Sequence, residues 1–80
     1  MKIIHEGWIT RNKDVMMGKP CIKGTRITVE LILKKMSEGA NVQQLLEDYP
    51  HLTEEGIYAC VDYARAIMIN EQVFALPVLF

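Results

Sequence analysis

Ile27-Thr28-Val29-Glu30-Leu31-Ile32-Leu33-Lys34-Lys35-Met36-Ser37-Glu38-Gly39 decides the fold of this chain. Val29, Ile32, Leu33 and Met36 fall at i, i+3, i+4 and i+7, the spacing of one helical stripe. Thr28 is suited to cap the start, and Ile27 before it to staple onto Ile32. Gly39 stands where a left-handed residue ends a helix. The pattern then repeats. Asn41 predicts a second cap, with Gln44 in the capping-box position, a stripe of Val42, Leu45, Leu46 and Tyr49, and Pro50 as the stop. Thr53 predicts a third cap, with Glu54 and Glu55 at the positive end of the helix dipole and a staple of Leu52 on Ile57. The inward stripe of this third helix is expected at Ile57, Cys60, Val61, Ala64 and Met68, and its end near Asn70. Tyr58, Tyr63, Ala66 and Ile69 break up its other side. Such apolar girth predicts a neighbour, for which a second copy of the chain is one candidate.

Upstream, residues 1–27 carry most of the turn punctuation and predict a short β and turn element. Extended pieces are expected around Trp8–Thr10, Pro20–Lys23 and Arg26–Thr28. Lys23-Gly24-Thr25 is placed to close a tight hairpin, with Gly24 supplying the positive φ. Pro20 cannot donate to a ladder, so a strand starts there or lies at an edge. The fold class expected is therefore mostly α: a three-helix part over residues 28–70 behind a β element over 1–27, in one domain spanning 1–72. An apolar tail follows over 73–80.

That tail, Val73-Phe74-Ala75-Leu76-Pro77-Val78-Leu79-Phe80, carries no charge. It is expected either to fold back over its own core or to dock as a strand on another chain. Its apolar side chains supply on the order of 10 kcal/mol gross, while ordering its backbone costs ~1–2 kcal/mol per residue. Docking therefore needs main-chain pairing on a partner's sheet edge, or help from the third helix.

Eighty residues allow one small core, with about 60% of the unfolded surface buried. The formal net charge of −1 excludes a global positive field that would draw the chain to nucleic acid. The distribution is uneven. Up to Lys35 eight Lys and Arg face three carboxylates, a balance of +5; beyond it Arg65 alone faces seven, a balance of −6. This asymmetry predicts two surfaces with different partners, two solvated faces, or head-to-tail pairing of copies. Cys21 and Cys60 read as reduced, buried thiols. With no apolar run of spanning length and no signal-like start, the expected compartment is the cytoplasm, with no membrane contact.

Three helices with short connections suit a helix-turn-helix domain, or a plain helical bundle without a DNA role. The opening residues of the third helix, Thr53, Glu54, Glu55 and Tyr58, are the wrong charge for phosphate, and Asp62 adds to this. If the chain touches DNA, contact is instead expected from Lys13, Lys19, Lys23, Arg26, Lys34 and Lys35. Arg26 carries two readings, a bidentate bond to a carboxylate of the helical part and a phosphate contact. Gly18-Lys19 fails as a phosphate loop, because position 13 is Lys and position 20 is Pro. His5 and His51 have no metal-ligand spacing with the cysteines, and no catalytic constellation stands out. No enzyme activity, metal or cofactor is expected.

Gly18-Lys19-Pro20-Cys21-Ile22-Lys23-Gly24-Thr25-Arg26-Ile27-Thr28-Val29, followed by Tyr49-Pro50, Leu52-Thr53 and Tyr63-Ala64, resembles the signature of a small prokaryotic family read as VapB-like antitoxins. The resemblance runs from about Ile9 to Ala64. It implies a homeodomain-like helix-turn-helix with a short β element, and a dimeric antitoxin of a two-gene toxin–antitoxin system, paired with a PIN-like ribonuclease toxin. Transcription regulation through operator DNA follows by the same resemblance. The tail residues Val73, Phe74, Leu76, Val78, Leu79 and Phe80, with Tyr63 and Ile69, would then hold the toxin, and the basic front would meet operator phosphates. The competing expectations are an interaction module with no DNA role and a self-associating dimer whose tails swap.

Overall fold

The computed structural model describes the backbone of residues 7–75 and the side chains of residues 7–69. In chain order these form β1 (Ile9–Thr10), a 3₁₀ turn (Met16–Gly18), β2 (Cys21–Ile22), α1 (Val29–Ser37), α2 (Val42–Asp48) and α3 (Glu54–Ala75). The domain is mostly α, with three helices and one two-stranded antiparallel sheet.

The sheet is small because its strands pair over two residues only, Ile9 with Ile22 and Thr10 with Cys21. On its other side β2 turns back on the chain that follows. The Ile22 amide donates to Ile27 O at 2.9 Å, and Cys21 forms an isolated bridge with Thr28. The expected tight turn closes this link, with Thr25 N donating to Ile22 O at 2.9 Å and Gly24 at φ +78°. Arg26–Thr28 is thus a bridge at Thr28, not a third strand. The Val29 amide, one of the donors a helix start leaves open, donates to Pro20 O at 2.9 Å.

Each helix begins at the cap expected for it. Thr28 Oγ1 accepts from Leu31 N at 3.0 Å. Asn41 and Gln44 form the reciprocal capping box, both bonds at 2.9 Å. Thr53 Oγ1 accepts from Gly56 N at 3.1 Å. Helix α1 ends in a Schellman arrangement. Gly39, at φ +105°, donates its amide to Met36 O, and Ala40 N donates to Lys35 O, both at 3.0 Å.

Ile22, Val29, Ile32, Leu45, Leu52, Ile57 and Cys60 make the core, with Ile9, Ile27, Leu33, Met36, Leu46, Tyr49 and Tyr63 packed around it. The buried face of α3 differs from the expected stripe. Gly56, Ile57, Ala59 and Cys60 are buried, whereas Val61 and Met68 are exposed. Phase is set by what α3 packs against, chiefly α1 and β1. One residue step turns a helix by about 100°, so seating Cys60 on that surface carries Val61 off it. Met68 lies six residues beyond Asp62, the last buried position of the helix among the described residues.

Helix α3 also runs past the expected end near Asn70 to Ala75. No glycine or proline stands between Gly56 and Pro77, so no residue of that stretch strongly opposes a helix. Val73 and Phe74 are therefore helical in backbone, and a docking strand does not begin at Val73. Leu76, Val78, Leu79, Phe80 and His5, with the side chains of Val73 and Phe74, lie outside the described residues.

Candidate functional site

The basic residues of the front line different concavities. Lys19 and Arg26 line a polar cleft of about 380 Å³ with Thr10, Asn12, Cys21 and Thr25. Lys34 stands at the edge of a separate, apolar groove. Lys35 lies beside Glu38, Glu47 and Asp48. Lys13 and Lys23 are exposed on loops. Lys19 is also engaged, donating from Nζ to Glu30 Oε1 at 3.3 Å. Among the described residues Arg26 has no carboxylate partner, so the expected bridge from Arg26 to the helical part is not formed. The hairpin is held instead by backbone bonds, through Ile22 and Thr28. At the start of α3, Thr53, Glu54, Glu55 and Tyr58 are all exposed.

The apolar groove is the larger concavity, about 600 Å³, and lies between α1 and α3. Val29 and Leu33 of α1 line it with Tyr63, Ala64, Ile67 and Met68 of α3, and Pro20 adds to the lining. Positions 57, 60, 64 and 67 follow one seam of α3 at alternating steps of three and four. The seam is buried at Ile57 and Cys60, half-buried at Ala64, and 41% exposed at Ile67, where the core has run out. Glu30, Lys34 and Ser37 of α1 add polar groups to the groove.

Of the partner-binding residues expected on the described part, Tyr63 lines this groove and Ile69 does not. Ile69 is 48% exposed elsewhere on α3. Leu33 and Ala64 read as core in the sequence, and Ile67 was missed. The available signal was the uninterrupted seam from Ile57 through Ile67 on a helix too long for a small core.

The thiols Cys21 and Cys60 are free and buried, as expected. Burial pushes the Cys60 thiol up to about 12 by desolvation. His51 is exposed in the turn before α3. Among the described residues no group of three His, Cys, Asp or Glu could hold a metal ion, and no helix is long and apolar enough to cross a membrane.

Residues 9–64 match the family model described as "Protein of unknown function (DUF433)". The chain belongs to the DUF433 family. A DUF433 member protein from Anabaena variabilis, known from its crystal structure, has a similar fold, with a TM-score of 0.72 and 28% identity. The match covers 85% of this chain and 69% of that one. An uncharacterized protein of Sinorhizobium fredii, y4eO, is 33% identical over 58 residues, which are 72% of this chain and 26% of that protein. This chain therefore spans about a quarter of the length of that relative. The DUF433 match contains every residue lining the polar cleft, while Ile67 and Met68 of the apolar groove lie just beyond it.

Proposed function

We propose that this DUF433 domain is a protein-binding module, the antitoxin half of a toxin–antitoxin pair, and that the groove between α1 and α3 holds a PIN-like ribonuclease. The observation that carries the binding role is the groove itself. Its walls are Val29 and Leu33 of α1 and Tyr63, Ala64, Ile67 and Met68 of α3, a helix that continues beyond the core to Ala75. Small domains bury such side chains when they can, because each contributes ~1.5–3 kcal/mol on leaving water. The opposite charges of Glu30 and Lys34 beside the groove suit an amphipathic partner helix with both signs on its flanks. A partner supplying such a helix completes the core that α3 outgrows. The quarter-length match within y4eO supports a module that works joined to, or beside, other domains.

In this reading operator binding is a second activity of the basic front, and α3 is not its reading helix. Exposed Glu54 and Glu55 repel phosphate at the end of α3 that would enter a groove.

The test is co-purification of the full chain from lysate of its source, followed by an RNA-cleavage assay on what is recovered. The expected result is a PIN-like ribonuclease whose cleavage stops when the chain is added in equal amount. Ile67→Glu and Met68→Glu, both at exposed positions, should release it without loss of helical circular dichroism. Recovery of no ribonuclease, of a second copy alone, or of a ribonuclease indifferent to both substitutions overturns the reading.

A further inference from the structure

We infer that the polar cleft on the β element is a binding site for a phosphate group, distinct from the apolar groove. The inference does not rest on the toxin-binding groove, and its nucleic-acid outcome would place the operator contact of the proposed function at this cleft. Its basis is the set of groups that the Gly18–Val29 stretch brings together. Arg26 and Lys19 line the cleft with no carboxylate among the lining residues, although Lys19 Nζ also reaches Glu30 Oε1 at 3.3 Å from outside it. The Oδ1 of Asn12 accepts from Asp14 N at 2.8 Å, which leaves the amide NH₂ as the group with donors to offer. Thr10 adds a hydroxyl. Two cations and uncharged donors around one concavity form an electrostatic match for an oxyanion, and guanidinium recognises phosphate with paired donors.

A second observation bears on the same place. Met16 and Met17 have φ of +48° and +59°, and Met17 is 91% exposed, so core packing of its side chain does not account for its strained backbone. Consecutive left-handed residues other than glycine are costly, and such strain collects at binding sites. Here it reverses the chain between Val15 and Lys19, both of which line the cleft. The Arg11 Nε holds this reversal by donating to Gly18 O at 3.0 Å.

The cleft offers more room than one tetrahedral ion fills, so the phosphate is expected as an ester. Phenyl phosphate represents a free monoester and a short DNA duplex represents the diester backbone. Each is titrated into the full chain and followed by amide NMR, with chloride holding ionic strength constant. The expected result is saturable shifts at Lys19, Gly24, Thr25 and Arg26, weakened about tenfold by Arg26→Gln, the loss of one charge-assisted contact. A response to the monoester alone assigns the site to a small phosphate ligand. A response to the duplex that Arg26→Gln weakens assigns it to nucleic-acid backbone. Shifts no larger than those in added chloride, or spread equally over Lys13, Lys23, Lys34 and Lys35, overturn the inference. Retention of the amide spectrum by Arg26→Gln separates lost binding from lost fold.

Discussion

Lys19 Nζ lies 3.3 Å from Glu30 Oε1, and this pair links two concavities: Lys19 lines the polar cleft, Glu30 the apolar groove. The side chains are 55% and 75% exposed, so the pair contributes about 0–1 kcal/mol to stability. Glu30→Gln is expected to leave the melting temperature within about 8 °C of the parent. The same substitution frees Lys19 and should tighten phenyl phosphate binding in the NMR titration. Unchanged or weaker binding would show that Lys19 does not act at the cleft.

Arg26→Ala is expected to leave unfolding by urea essentially unchanged, within about 0.5 kcal/mol. The side chain is exposed and forms no carboxylate bridge among the described residues, while the turn beside it is held by Ile22, Thr25 and Ile27 backbone bonds. Unfolding of this variant would mean that the guanidinium has a structural partner.

The capping box at the start of α2 predicts a larger effect. Asn41→Ala removes the acceptor for Gln44 N and should cost about 1 kcal/mol, a fall of about 4–8 °C in melting temperature. Helix α2 has only seven residues, so little else within it offsets the loss. A melting curve coincident with the parent would contradict the role of the cap.

The difference between what was legible in the sequence and what was not follows from the range of the interactions. Thr28, Asn41 and Thr53 each cap a helix by bonding an amide three residues away, and Gly39 ends α1 over an equally short span. Such signals are local, so spacing alone locates them. The phase of α3 is not local. Cys60 and Val61 are adjacent and both apolar, and only packing decides that Cys60 faces inward. The left-handed pair Met16–Met17 leaves no trace in composition, because methionine has no preference for that conformation. For the candidate site, the apolar excess of α3 announced a neighbour, yet which residues line the groove required α1 beside it. Which concavity each basic residue lines was equally illegible: Lys19 and Arg26 line the cleft, Lys34 the groove and Lys35 a third hollow.

Cys60 makes stability depend on alkaline pH. Its thiol is raised from the ordinary 9.0 to about 12 by burial, so in the folded chain it keeps its proton where the unfolded chain loses it. Above about pH 9 the unfolded state binds fewer protons, and stability falls as pH rises toward 12. Urea unfolding at pH 8 and pH 10 is expected to show this fall, and Cys60→Ala should show a smaller one. Equal pH dependence in both proteins would contradict the assignment to Cys60. Native Cys60 should also resist thiol reagents that label it readily in denaturant.

The most direct test of the central claim replaces Ile67, in the groove, with the photo-crosslinking residue p-benzoylphenylalanine, and compares it with the same replacement at exposed Gln43 on α2. Irradiated in lysate of the source, the Ile67 probe is expected to bond covalently to a PIN-like ribonuclease, and the Gln43 probe is not. A ribonuclease captured from Gln43 and not from Ile67, or an Ile67 probe that bonds only to a second copy of this chain, would contradict the groove as the toxin-binding surface.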